Sequence, residues 1–139
     1  MTVLVGYLML RFLSSVFAAL FLLGVGVQLN DPDPLRWILL YLAAATASLL
    51  AAAGRNRWPL PAATALVALA WAAILAPGAL GEARVTELVG AWEMKDSRVE
   101  EGREAYGLLI VFAWMAVLAL AGLRNRRSVV PRGGASIRP

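Results

Sequence analysis

The chain alternates four long apolar runs with short polar segments. Lys, Arg, Asp and Glu are absent from each run, and the runs cover residues 12–29, 37–53, 60–80 and 105–123. An α-helix needs about 20 apolar residues to cross a hydrocarbon core about 30 Å thick, and an ionised side chain at mid-bilayer is costly. The pattern therefore predicts one domain, residues 1–123, with four transmembrane helices at about residues 7–29, 34–53, 59–80 and 105–123.

The segments outside these helices differ in length and charge. Residues 81–104 form the one long connection, and apolar residues at helical spacing within it predict a short amphipathic helix in the membrane interface: Val85, Leu88, Val89 and Trp92. Residues 124–139 hold five Arg, two Gly and two Pro, which is typical of a basic disordered tail bound to anionic lipid headgroups. The predicted fold is an all-α integral membrane four-helix transmembrane bundle with a short interfacial helix before the last span.

The second helix is predicted to lie at the centre of the bundle. Asp33 followed by Pro34 is a typical helix start, with Asp as the N-cap and Pro at the first helical position. The second half of the helix is rich in Ala, and its two polar residues, Thr46 and Ser48, are also small. Small residues let helix backbones approach closely in lipid, so this helix is expected to contact several neighbours.

The composition excludes several classes of function. The chain is 60% hydrophobic and 16% charged, whereas soluble domains are about 45–50% apolar and about 25% charged. It contains no Cys and no His, so it cannot form disulfides or thiolate metal sites, and a zinc, copper or haem enzyme is disfavoured. The sequence pI of about 10.3 reflects Arg residues that follow the last helix, which favours lipid headgroups over nucleic acid as the partner.

The charges also predict an orientation. With four spans, one side of the membrane receives Arg11, Arg55, Arg57 and the five tail arginines, which is eight basic residues and no acidic ones. The other side receives five basic residues and all nine acidic residues. The positive-inside rule counts Lys and Arg, so both termini are predicted to be cytoplasmic in a plasma (bacterial inner) membrane.

Two polar segments on the acid-bearing side form the candidate site. The first contributes Gln28, Asn30, Asp31, Asp33, Trp37 and Tyr41, and the second contributes Glu100, Glu101, Arg103 and Glu104. Carboxylates grouped without His or Cys suit hard cations such as Ca²⁺ or Mg²⁺, which prefer oxygen ligands. The candidate metal ligands are Asp31, Asp33, Glu100 and Glu104; a cationic organic group or a basic peptide would suit the same segments.

Simpler explanations exist for several of these residues. Helix capping explains Asp33, and acidic residues in the first turn of a helix are favourable by about 0.3–1 kcal/mol through the helix dipole, which explains Glu100 and Glu101. Arg103 lies in an unfavourable place for a cation at a helix start, so it is expected to pair with Asp31 or Asp33 as a clamp between helices.

These two segments resemble the transmembrane protein 220 family of small multi-helix membrane proteins. The resemblance rests on Gln28-Leu-Asn-Asp-Pro-Asp33 with Trp37 and Tyr41, and on Glu100-Glu-Gly-Arg-Glu104 with Gly107-Leu-Leu-Ile110. It implies a multi-helix membrane fold in which the two segments belong together, and it does not imply an activity.

The leading functional hypothesis is a membrane protein whose outward carboxylate-rich site binds a divalent cation or a polar or cationic ligand. The alternative is a non-catalytic assembly subunit of a larger membrane complex, with a membrane-protein partner and Arg103 as a helix lock. A metal-dependent enzyme acting on lipid headgroups ranks last, because no nucleophile and base are grouped in the sequence and no catalytic residue is predicted.

Overall fold

The structure, a computed structural model, consists of four long helices in the part of the chain it describes. It describes the backbone of residues 1–30, 34–79 and 97–129, and the side chains of residues 1, 4–29, 34–76 and 104–126. The helices are α1 (Thr2–Val27), α2 (Pro34–Ala52), α3 (Pro59–Ala79) and α4 (Ser97–Val129), and a 3₁₀ turn (Gln28–Asn30) follows α1. All four are long and apolar enough to cross a membrane, so the predicted all-α transmembrane bundle is confirmed.

The helix ends differ from the predicted spans mainly in α1 and α4. Helix α1 begins at Thr2 rather than near Tyr7, since the residues before Tyr7 include no proline. Helix α4 begins at Ser97 and continues to Val129, so it extends into the acidic connection and into the segment predicted as a disordered tail. Glu near the start and Arg near the end of a helix both favour its extension through propensity and the helix dipole. The predicted interfacial helix, with Val85 to Trp92, lies outside the described residues.

The helices pack as two pairs that meet through α2. Helix α1 packs mainly on α2, and α3 packs along α4. In the described part of the chain, the backbone of α2 comes close to all three other helices, which agrees with its predicted central position. Its buried face is made largely of alanines, and α4 fills the space opposite with the fully buried Leu108, Val111, Met115 and Leu118.

The faces of the bundle away from this core are apolar. Phe12 and Leu23 of α1, Ile74 of α3 and Ile110 of α4 are all more than half exposed. A water-soluble protein would rarely leave so many large apolar side chains uncovered. These faces match the lipid environment that four membrane-spanning helices imply.

The turn after α2 satisfies the carbonyl groups at the end of that helix. Gly54 has a positive φ of 75°, and its N–H and that of Arg55 donate back to the carbonyl oxygens of Ala51 and Leu50, which is the Schellman arrangement. The Arg11 Nε donates to the Ala52 carbonyl at 2.7 Å. In the sequence analysis Arg11 counted only as one of the basic residues on the predicted cytoplasmic side; here it also ties α1 to the end of α2.

The short segment from 54 to 58 is then fastened to α4. The Asn56 side-chain amide donates to the Leu118 carbonyl at 2.8 Å. A Cβ on Gly122 would lie only 2.8 Å from the Trp58 backbone nitrogen, so glycine at 122 lets the start of α3 approach α4 directly. We call this end of the bundle, residues 54–58 with the end of α4, the basic end. The opposite end, with residues 28–30 and the starts of α2 and α4, is the acidic end.

Candidate functional site

A continuous series of aromatic ring contacts leads through the core toward the acidic end. The rings follow one another in the order Trp114, Phe17, Phe21, Tyr41, Trp37 and Trp71. Phe17 and Trp114 stack with ring centroids 4.2 Å apart and planes only 8° apart, and each favourable pair adds about 0.5–1.5 kcal/mol beyond its buried area. The series links all four helices and gives Tyr41 a fixed position.

Tyr41 is the residue at which three helices meet. Its ring lies against Gly24 of α1, where an added Cβ would come within 3.2 Å of the ring. Its hydroxyl lies 3.9 Å from the position of a Cβ on Gly107 of α4. Glycine at 24 therefore leaves room for the tyrosine ring against α1, and the hydroxyl lies at ordinary contact distance from α4.

The Tyr41 hydroxyl brings together two of the predicted site residues. It lies within hydrogen-bonding reach of the Gln28 side-chain amide, and the Glu104 carboxylate is close enough to act on it electrostatically. Gln28, Tyr41 and Glu104 are all half-buried. The structure thus joins the first polar segment to the second across residues that are 76 positions apart in sequence (28 to 104).

The other predicted site residues divide into three groups. Trp37 is only 4% exposed and packs against Trp71 at 4.4 Å, so its ring belongs to the core beneath Tyr41. Asn30 lies in the 3₁₀ turn, and Glu100, Glu101 and Arg103 lie in the first turns of α4; their side chains are outside the described set. Asp31 and Asp33 lie outside the described residues altogether.

The described side chains supply a mixed set of oxygen ligands. They are one carboxylate (Glu104), one phenol (Tyr41) and one amide (Gln28). No group of three His, Cys, Asp or Glu side chains close enough to hold a metal ion occurs among the described residues. A metal site at this end would therefore have to draw its further carboxylates from Asp31, Asp33 or Glu100.

Sequence reasoning missed one polar contact inside the bundle. The Trp114 indole N–H donates to the Ser48 hydroxyl oxygen at 3.0 Å, and the Ser48 hydroxyl donates to the Ala44 carbonyl at 2.8 Å. The two side chains are buried, and 66 positions separate them in sequence. A lone Ser on an Ala-rich helix face and a Trp in the middle of a span were the only signals available.

Comparison with known proteins identifies the family of the chain. No solved structure matches it. The family model described as transmembrane family 220, helix, matches residues 20–120. This match covers most of the chain, from the last third of α1 to residue 120 in α4, and includes both predicted polar segments. The sequence resemblance is therefore confirmed, and the chain belongs to transmembrane family 220.

Proposed function

We propose that this small membrane protein binds a cation at its acidic end, through Glu104 together with Gln28, Tyr41, Asn30, Asp31, Asp33 and Glu100. The observation that supports the proposal is the convergence of Gln28 from the turn after α1, Tyr41 from α2 and Glu104 from α4. Polar groups at the ends of apolar spans are expensive to bury, so three of them meeting at one point favour a binding role over chance placement.

The sequence supplies further carboxylates near this point. Glu100 precedes Glu104 by four residues in α4, so the two positions lie on the same face of the helix. Asp31 and Asp33 follow Gln28 by three and five residues. Ca²⁺ takes six to eight oxygen ligands and Mg²⁺ takes six, usually with several waters, so a hard divalent cation would use this set of carboxylate, amide and phenol oxygens well.

The first experiment measures the thermal stability of the purified protein in detergent with Ca²⁺, Mg²⁺, Mn²⁺, a quaternary ammonium ion, or EDTA. A cation that binds only the folded state, and is present at a free concentration about 100 times its Kd, should add about 2.7 kcal/mol to the free energy of unfolding. Asp31→Asn and Glu104→Gln should each abolish that gain. Glu87→Gln, which removes the same charge from the connection before α4, should retain it.

The outcomes separate the forms of the proposal. Stabilisation by a divalent ion identifies a metal site, and stabilisation by the ammonium ion alone identifies an organic cation site. The proposal is contradicted if none of the cations changes the free energy of unfolding. It is also contradicted if Glu87→Gln loses the cation-dependent stabilisation as fully as Glu104→Gln does.

A second function is favoured by the packing of Tyr41. Its hydroxyl is already within reach of Gln28 and its ring already contacts Gly24, so the polar groups join α1, α2 and α4 without any ligand. In this alternative, Arg103 pairs with Asp31 or Asp33 and the locked bundle serves as an assembly subunit. A double-mutant cycle with Arg103→Gln and Asp31→Asn tests it: coupling that does not change with added cation favours the lock.

A further inference from the structure

A polar pocket lies at the basic end, far from the proposed cation site. It has a volume of about 410 Å³ and lies between the 54–58 segment and the last turns of α4. Its polar lining consists of Asn56, Arg57, Asn125 and Arg126, and Trp58 forms part of its wall. Small-molecule pockets are typically about 300–1,000 Å³, so a phosphate-bearing headgroup would fit this volume.

Within the part of the chain whose side chains are described, no acidic side chain lies near this pocket. The sequence has no Asp or Glu between residues 34 and 81 or after residue 104. Glu104, the only acidic residue among the described side chains, precedes Arg126 on α4 by about 33 Å along the helix axis, at about 1.5 Å per residue. Among the described side chains, two guanidinium groups therefore border one pocket with no carboxylate nearby, which makes it suited to an anion.

The position of the pocket relative to the spans specifies the kind of anion. The apolar span of α3 begins at Pro59 and that of α4 ends at Arg126, so the lining residues lie where both helices leave the hydrocarbon. Trp58 is half-buried at the same level, and Trp is enriched at the headgroup region of membranes. Arg binds phosphate oxygens through two parallel N–H groups.

We propose that this pocket is a specific site for the phosphodiester headgroup of an anionic phospholipid, bound by Arg57 and Arg126. The proposal is independent of the cation site, because the two use different residues at opposite ends of the bundle. It differs from general attraction between basic residues and a negative membrane surface, since it requires these two arginines and not their neighbours.

The chain offers a matched control for this distinction. Arg55 lies in the same short segment as Arg57 and is exposed like it, but it does not line the pocket. Arg57→Gln and Arg55→Gln therefore remove the same charge from the same loop. The exposure of Arg57 and Arg126 means that their replacement by Gln should leave the fold intact, which thermal stability in detergent without lipid will verify.

The test measures lipid binding by native mass spectrometry of the full chain in detergent. Phosphatidylglycerol, phosphatidylcholine and inorganic phosphate are titrated separately. The wild-type protein should bind one phosphatidylglycerol in preference to phosphatidylcholine. Arg57→Gln and Arg126→Gln should each weaken that binding roughly fivefold, the equivalent of about 1 kcal/mol per guanidinium near an anionic surface. Arg55→Gln should bind like the wild-type protein.

Three results would overturn the proposal. Equal binding of the two lipids would remove the preference for a net anionic headgroup. An equal loss in Arg55→Gln and Arg57→Gln would show diffuse attraction without a site. The pocket would be assigned to free phosphate if inorganic phosphate blocked phosphatidylglycerol binding at a concentration no higher than the one at which the lipid saturates the protein.

Discussion

The hydrogen bond between Trp114 and Ser48 joins α4 directly to α2. The indole N–H is buried and its acceptor is the Ser48 hydroxyl at 3.0 Å. Ser48→Ala would leave that donor without a partner inside the bundle, which costs about 1–2 kcal/mol. We expect this loss in the free energy of unfolding, measured by SDS-induced unfolding in mixed micelles.

Thr46 provides the control for that measurement. Its hydroxyl donates to the Leu42 carbonyl one turn earlier at 2.8 Å, as the Ser48 hydroxyl does to Ala44, but Thr46 is exposed on the outer face of α2. Thr46→Ala removes the same kind of local bond without affecting Trp114, so it should change stability by less than about 0.5 kcal/mol. Equal effects of the two substitutions would show that the contact between helices contributes nothing.

At the scale of the helices, one close approach lies where α3 begins against α4. The ideal Cβ position on Gly122 is 2.8 Å from the Trp58 backbone nitrogen and 3.1 Å from its Cα, so a methyl group there has to push backbone aside. We expect Gly122→Ala to destabilise the protein by about 1–2 kcal/mol, because overpacking of this kind costs about 1–3 kcal/mol and helix propensity returns up to about 1 kcal/mol.

Gly26 tests the propensity contribution alone. It is also helical, and a Cβ added there meets nothing within 4 Å. Gly26→Ala should therefore leave stability unchanged or raise it by up to about 1 kcal/mol. Thermal unfolding of both variants in one detergent makes the comparison, and a gain in Gly122→Ala as large as that in Gly26→Ala would contradict the close approach.

The sequence predicted the helices well and their contacts poorly, for a physical reason. The four spans could be predicted because burying charge in lipid is costly, so the absence of charged residues along each run is visible in the local sequence. The start of α2 at Pro34 and its central place followed from local signals too. In contrast, the bond from Arg11 to the Ala52 carbonyl and the place of Tyr41 between Gly24 and Gly107 depend on packing between distant segments, which no local pattern encodes.

The same limit applies to the candidate sites. The family motif and the acidic residues marked the segments that meet at Tyr41, but not that Trp37 would be buried beneath it. No sequence pattern predicted the pocket at the basic end. Arg57 and Arg126 were recognised only as members of the basic side, and their approach depends on how α3 and α4 pack beside Gly122.

At the scale of the whole molecule, α4 makes the predicted orientation testable. With residues Ser97–Val129 it is about 50 Å long at about 1.5 Å per residue, so it exceeds the hydrocarbon core of about 30 Å and its two ends lie on opposite sides of the membrane. Both ends carry a serine, Ser97 and Ser128, and the chain contains no Cys. Ser97→Cys and Ser128→Cys therefore each introduce a single thiol with a small change in side-chain size.

We expect a membrane-impermeant maleimide to label Ser97→Cys in intact bacterial cells that express the protein, and to label Ser128→Cys only after the membrane is permeabilised. This result would place the acidic end outside and the basic-end pocket in the inner leaflet, as the excess of Lys and Arg predicts. The reverse labelling would place Tyr41 and Glu104 in the cytoplasm, where free Mg²⁺ is abundant and free Ca²⁺ scarce, and would make Mg²⁺ the first cation to test. Labelling of both thiols in intact cells would contradict a single crossing of the membrane by α4.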